Sequence, residues 1–184
     1  DATLRLRGVV ERYVDALDHA AEVQLGRARV EELTTQAEAL HPGLTDCGAW
    51  EVLLAHLCRI DIDTNGHAVD ALRDALEGKD LTFVAAVVDW RLDPAASHGG
   101  GVGPLPWLPE VSDLSDPAWM EFLTALREDV AETAEEVLAD SAERAPAAWA
   151  TGLDGALRSD LTIWRAAQGI PDDDLSPTGP PQVA

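Results

Sequence analysis

The sequence predicts an all-α fold: an irregular bundle of about six to seven helices with a long Gly/Pro-rich loop packed on it. Three observations carry that expectation. Ala and Leu dominate, while Tyr occurs once and Phe twice, so strong helix formers outnumber the aromatic residues that favour strands. Apolar residues recur every three or four positions rather than in alternation. Stop and start signals separate those stretches, at Gly26, His41-Pro42-Gly43, Asn65-Gly66, Asp116-Pro117 and Pro146. At 184 residues the chain reads as one helical domain over 1–168 with a Pro/Asp-rich tail or linker over 169–184. A chain of this size buries enough surface to fold without metal or disulfide.

The elements follow in order. Val10, Tyr13, Val14, Leu17 and Ala21 share one face of an amphipathic helix over 3–25. Val30, Leu33 and Ala37 mark a second helix over 28–40, stopped by His41-Pro42-Gly43. Asp46, or Thr45, is placed to cap a third helix carrying Trp50, Leu53, Leu54, Leu57 and Ile60. Asn65-Gly66 is a turn. Ala68, Val69, Leu72 and Leu76 then mark a short helix closed at Gly78. Asp80 opens another that ends in Val87-Val88-Asp89-Trp90.

Between that helix and the next lies the stretch that sets the chain apart. Gly99-Gly100-Gly101-Val102-Gly103 is a spacer, and Pro104-Leu105-Pro106-Trp107-Leu108-Pro109 follows it. Three prolines in this segment exclude helix and central strand. Leu105, Trp107 and Leu108 are too apolar to lie in water, so the loop is expected to be pinned across the helical body, with these three residues as candidate partner contacts. Ser115-Asp116-Pro117 starts the longest helix, from Pro117 to Arg144. Trp119, Phe122, Leu123, Leu126, Val130, Val137 and Leu138 form its expected buried side, and Glu128, Asp129, Glu132, Glu135, Glu136 and Asp140 its acidic face. A last helix spans 154–168, with Leu157, Leu161 and Trp164 in register. The segment from Gly169, with four prolines and three consecutive aspartates, lacks the apolar surface to order itself, and reads as a linker or docked tail.

Charge bounds the function. The net charge is −21, with 34 acidic residues against 13 basic and Lys79 as the only lysine. Such a surface disfavours autonomous nucleic-acid binding and favours basic partners. Arg5, Arg7, Arg12, Arg27 and Arg29 are the local exception near the N-terminus, and Arg5, Arg7 and Arg12 are the candidate DNA contacts. Cys47 and Cys58 are too few for a disulfide framework and read as reduced thiols, consistent with a cytoplasmic protein. No run approaches the length of a membrane span, and no signal peptide is visible. A start at Asp1 without Met suggests a segment of a longer polypeptide.

Chemistry-bearing patterns are weak. Cys47, His56, Cys58 and His67 are chemically complete for zinc, yet structural sites pair their ligands more tightly, and His56 and Cys58 point to different helix faces. The acidic helix face lacks the Glu-x-x-His partner of di-metal bundles. The glycine spacer lacks the Lys of a phosphate loop, and no Gly-x-Ser-x-Gly elbow occurs. No metal, cofactor or catalytic residue is therefore expected. Among the six tryptophans, Trp50, Trp90, Trp119 and Trp164 are expected in the core, and Trp107 is open between loop anchor and partner contact.

DCGAWEVLLAHL (46–57), AAVVDWRLDP (85–94), GPLPWLPEV (103–111) with DPAWMEFLTAL (116–126), and LTIWRAAQGIPDDDLSPTGPP (161–181) together carry a resemblance. The chain resembles the region beyond the motor in actinobacterial conjugative relaxase–helicases. These are the MobF-type, RecD-like (exonuclease-V-alpha-like) plasmid-transfer proteins. That family nicks DNA with a Tyr and a His-bound metal and unwinds it with a Walker-loop helicase. Neither set occurs here: Tyr13 is the sole Tyr, and there is no His-x-His and no Walker Lys. The resemblance implies a non-catalytic accessory domain, cytoplasmic, docking onto a protein of the transfer machinery or onto other modules of its parent chain. The alternative it allows is an extension of the helicase track that engages single-stranded DNA.

Overall fold

The structure, a computed structural model, describes residues 1–77, 104–105, 107–111 and 114–179. Among the described residues the protein is all-α, with six α-helices, two short 3-10 turns and no strand. The expected Gly78 cap, the helix from Asp80 to Trp90 and the 99–103 spacer lie outside the described residues.

The helices are α1 (Ala2–Leu25), α2 (Arg27–Leu40), α3 (Trp50–Asp63), α4 (Ala68–Leu76), α5 (Pro117–Ala142) and α6 (Gly155–Gln168). They distribute over two compact units: one of residues 1–14 and 124–183, the other of 15–123. The 1–14/124–183 unit buries Leu6, Val9, Val10 and Tyr13 of α1, Val130, Ala134 and Val137 of α5, and Ala166 and Ala167 of α6. The 15–123 unit packs α2, α3 and α4 on one another and buries Leu33, Leu44, Leu53, Leu57, Leu72 and the α1 residues Leu17, Ala20 and Ala21.

Local chemistry sets the boundaries. Gly26 separates α1 from α2 at φ 79° and ψ 155°, a region essentially reserved for glycine. Asn65 and Gly66 take φ 58° and 95° in the α3–α4 turn, the left-handed conformation these residues tolerate. At the start of α5, Asp116 Oδ1 accepts the Ala118 N–H at 2.9 Å, and Ser115 donates through its N–H to Gln24 Oε1 at 2.7 Å. Asp154 caps α6 by accepting from Leu157 N–H at 2.9 Å.

The structure corrects several local expectations. Neither Asp46 nor Thr45 caps α3. Both lie in a 3-10 turn (Leu44–Asp46), and α3 begins at Trp50 behind Ala49 with no side-chain cap. The turn is gripped instead by Glu38, which accepts from Gly43 N–H (2.7 Å), Thr45 N–H (3.2 Å) and the Thr45 hydroxyl (2.9 Å). Phe122, expected inside, is 48% exposed. Trp50 is buried as expected and Trp119 and Trp164 are half-buried, whereas Trp149, which periodicity did not place inside, is buried. It sits in a 3-10 turn (Ala148–Ala150), outside any helical stripe.

Candidate functional site

The proline loop is held by its leucines. Leu105, Leu108 and Val111 are buried in the structure, and Leu108 N–H closes a turn on Leu105 C=O at 3.0 Å. Burying a leucine side chain is worth about 1.5–3 kcal/mol, so Leu105 and Leu108 act as anchors directed inward. Trp107 between them is half-buried and is the one of the three that reaches the surface.

The arginines proposed for DNA are mostly engaged by carboxylates. Arg5 bonds Glu136 (2.9 Å) and the buried Thr133 hydroxyl (3.2 Å), and Arg7 bonds Glu11 at 2.9 Å. In the 15–123 unit, Arg27 pairs with Glu31, and Arg29 with Glu32 and Asp61. Arg12 is exposed and has no side-chain partner among the described residues.

The acidic face of α5 is open. Glu128, Glu132 and Glu135 are exposed along successive turns, and of this stripe only Glu136 has an ion-pair partner among the described residues.

Three of the four Cys/His residues are put to separate uses. Cys58 is fully buried, and desolvation, reinforced by Glu22, Asp61 and Asp18, pushes its thiol up to about 12. Cys47 donates to Gly43 C=O at 3.6 Å. His67 Nδ1 lies 2.7 Å from Thr64 C=O. Among the described residues no group of three or more His, Cys, Asp or Glu is arranged to hold a metal, and no helix is long and apolar enough to cross a membrane.

Sequence reasoning missed Arg165. This residue of the last turn of α6 is only 2% exposed. Its guanidinium is enclosed by carbonyl oxygens of the following segment. Nη2 donates to Pro171 (2.7 Å) and Asp174 (2.8 Å), and Nη1 to Pro177 (3.2 Å) and Ser176. Its planar face lies over Trp149, whose indole N–H donates to Asp172 at 3.2 Å. Gly169, at φ 66°, ends α6 in the double bond of a Schellman motif, with Gly169 N–H to Ala166 C=O and Ile170 N–H to Arg165 C=O. The tail through residue 179 is thus held mainly by polar bonds, from the Arg165 guanidinium and the Trp149 and Trp164 indoles, which is why a hydrophobicity argument read it as unable to order itself. The available sequence signal was an Arg in a helix's final turn, a position that favours cations near free carbonyls.

In the same 1–14/124–183 unit, the C-terminal end of α5, the 142–155 connection, α6 and the start of the tail line a cavity of about 790 Å³.

No family model, curated protein or solved structure matches the chain.

Proposed function

We propose that the chain is a non-catalytic interaction domain that docks onto a basic surface through the acidic face of α5. The observation that carries this reading is the run of exposed carboxylates at Glu128, Glu132 and Glu135, unpaired among the described residues, in a chain of net charge −21. Unneutralised charge of one sign steers association with the opposite sign and weakens with salt. The motif resemblance supplies the setting: an accessory domain of a conjugative relaxase–helicase, whose partner is a protein of the transfer machinery or another module of the parent chain. Engagement of single-stranded DNA is the weaker reading, since Arg5 and Arg7 are already bonded to carboxylates.

The test is binding of the chain to the purified modules of such a parent protein and to its coupling proteins, measured by calorimetry at two salt concentrations. Binding is expected to weaken with salt and to fall about tenfold or more when Glu128, Glu132 and Glu135 are changed together to Lys. Absence of binding to every one of them at low salt, or indifference to the charge reversal, overturns the proposal. Salt-dependent capture of a labelled oligonucleotide, lost in Arg12→Ala, establishes the other reading.

A further inference from the structure

The cavity beside α6 contains an unanswered question of hydrogen bonding. Arg158 and Arg165 stand seven residues apart on the helix, hence on one face, and both line the cavity. The Nε of each is buried and has no hydrogen-bond partner. Arg165 commits its two Nη groups to the tail carbonyls, whereas the Arg158 side chain has no hydrogen bond or ion pair among the described residues. A buried N–H without an acceptor costs about 1–3 kcal/mol, more when the group is charged. Both residues line one space, and the Arg158 guanidinium, with no acceptor among the described residues, calls for an oxygen acceptor there.

The remaining walls define what can bring it. A volume of about 790 Å³ lies in the range of small-molecule sites rather than of single ions. Val137, Leu138, Ala166 and Ile170 contribute apolar lining. The charged groups on the wall nearly balance, with Arg144 beside Arg158 and Arg165 against Asp1, Asp140 and Asp172, the last already accepting the Trp149 N–H, so the site favours no more than a single negative charge.

We propose that this cavity is a binding site for a small, singly charged organic carboxylate, its oxygens received by Arg158 and its apolar body lying against the α5 and α6 walls. This site is separate from the acidic docking face and stands or falls without it. Recognition is geometric, since the guanidinium offers a fork of donors matched to a carboxylate.

The test uses the full chain, with benzoate and hexanoate as probes and inorganic phosphate and citrate as comparators, followed by calorimetry and by amide chemical shifts. Benzoate or hexanoate is expected to bind saturably, with a dissociation constant on the order of 1 mM or tighter and shifts concentrated in residues 137–172. Arg158→Gln is expected to weaken binding about tenfold, Arg158→Lys less, and Arg12→Gln not at all. The melting curve of each variant confirms that it is folded, and the Lys variant keeps the comparison available should the Gln variant unfold. No saturable binding overturns the proposal. So does tighter binding of phosphate or citrate than of the monocarboxylates, or undiminished binding in Arg158→Gln.

Discussion

The guanidinium carbon of Arg165 lies 4.5 Å from the centre of the Trp149 ring, and this pair fixes the course of the tail that follows α6. The stacking closes one face of the cation, and the hydrogen bonds to the carbonyls of residues 171, 174, 176 and 177 lie around it. Trp149 in turn reaches the tail through Asp172. An acidic, proline-rich segment is thereby held by a residue of the preceding helix, with no apolar core of its own.

Replacing Arg165 therefore releases the tail before it unfolds anything else. Hydrogen bonds to charged groups contribute about 1.5–3 kcal/mol each, and a desolvated cation–π contact about 2. Most of the freed carbonyls regain water, so the expected loss for Arg165→Ala is about 2–3 kcal/mol. Arg165→Lys recovers little, because an ammonium has neither the planar fork nor the stacking face. Amide exchange is the direct measurement: residues 172–179 are expected to lose protection in both variants, while α5 keeps its own. Retained protection in the tail of Arg165→Ala would show that other contacts hold it.

In the 15–123 unit the corresponding fastener is Asp61. This 3% exposed carboxylate accepts two bonds from Arg29, at 2.8 and 2.9 Å, and one from Ala68 N–H at 3.3 Å. Arg29 also reaches Gly66 C=O at 3.2 Å, so one pair ties α2, α3 and the α3–α4 turn together. Breaking a buried pair by removing one partner costs about 3–5 kcal/mol. Arg29 is partly exposed and keeps Glu32, which places Asp61→Ala nearer 3 kcal/mol. Asp61→Asn retains an acceptor and should lose less. Urea unfolding monitored by tryptophan fluorescence checks both, and a midpoint unchanged in Asp61→Ala would remove Asp61 from this role.

The helices were legible because they depend on local patterns. Spacing of apolar residues and the Asp116-Pro117 start act within a turn or two of chain, and α5 and α6 stand where the sequence placed them. What was not legible depends on distant partners. Nothing near Asp61 announces Arg29, 32 positions away, and nothing near residue 46 announces that Glu38 holds the turn and leaves Asp46 no capping role. The cavity gathers residues from α5, a connection, α6 and the tail. Its two buried Nε groups without an acceptor, on Arg158 and Arg165, are visible only once those pieces are assembled.

Gly26 carries a backbone conformation that no other residue adopts without strain. Its position at φ 79°, ψ 155° lets α2 begin one residue after α1 ends. A methyl group there meets nothing within 4 Å, so any effect of Gly26→Ala comes from the backbone alone. The expected loss is about 1–3 kcal/mol. Gly8, also free of contacts at its Cβ position but within α1, is the control: Gly8→Ala is expected to stabilise by about 0.5–1 kcal/mol. Opposite signs for the two substitutions in thermal unfolding confirm the argument, and equal signs refute it.

Acid titration should show two carboxylates acting in opposite senses. Burial raises the Asp18 pKa, against the opposing pull of Arg59 and His56, so the folded state binds that proton more tightly than the unfolded one. Between the ordinary aspartate value and the raised one, falling pH adds stability through Asp18. Glu38 is the reverse case, its pKa lowered chiefly by the Gly43 and Thr45 backbone N–H groups. Its contribution is fully present above its unfolded value and disappears as pH falls through the lower folded value. Carboxyl carbon shifts followed across the acid range should therefore show Asp18 titrating above, and Glu38 below, the ordinary range for their types. In Glu38→Gln the acid loss due to this group should vanish, so the stability difference from the parent chain narrows as pH drops. A difference that stays constant from neutral pH down to the acid limit would mean that Glu38 does not hold the 43–45 turn in its charged form.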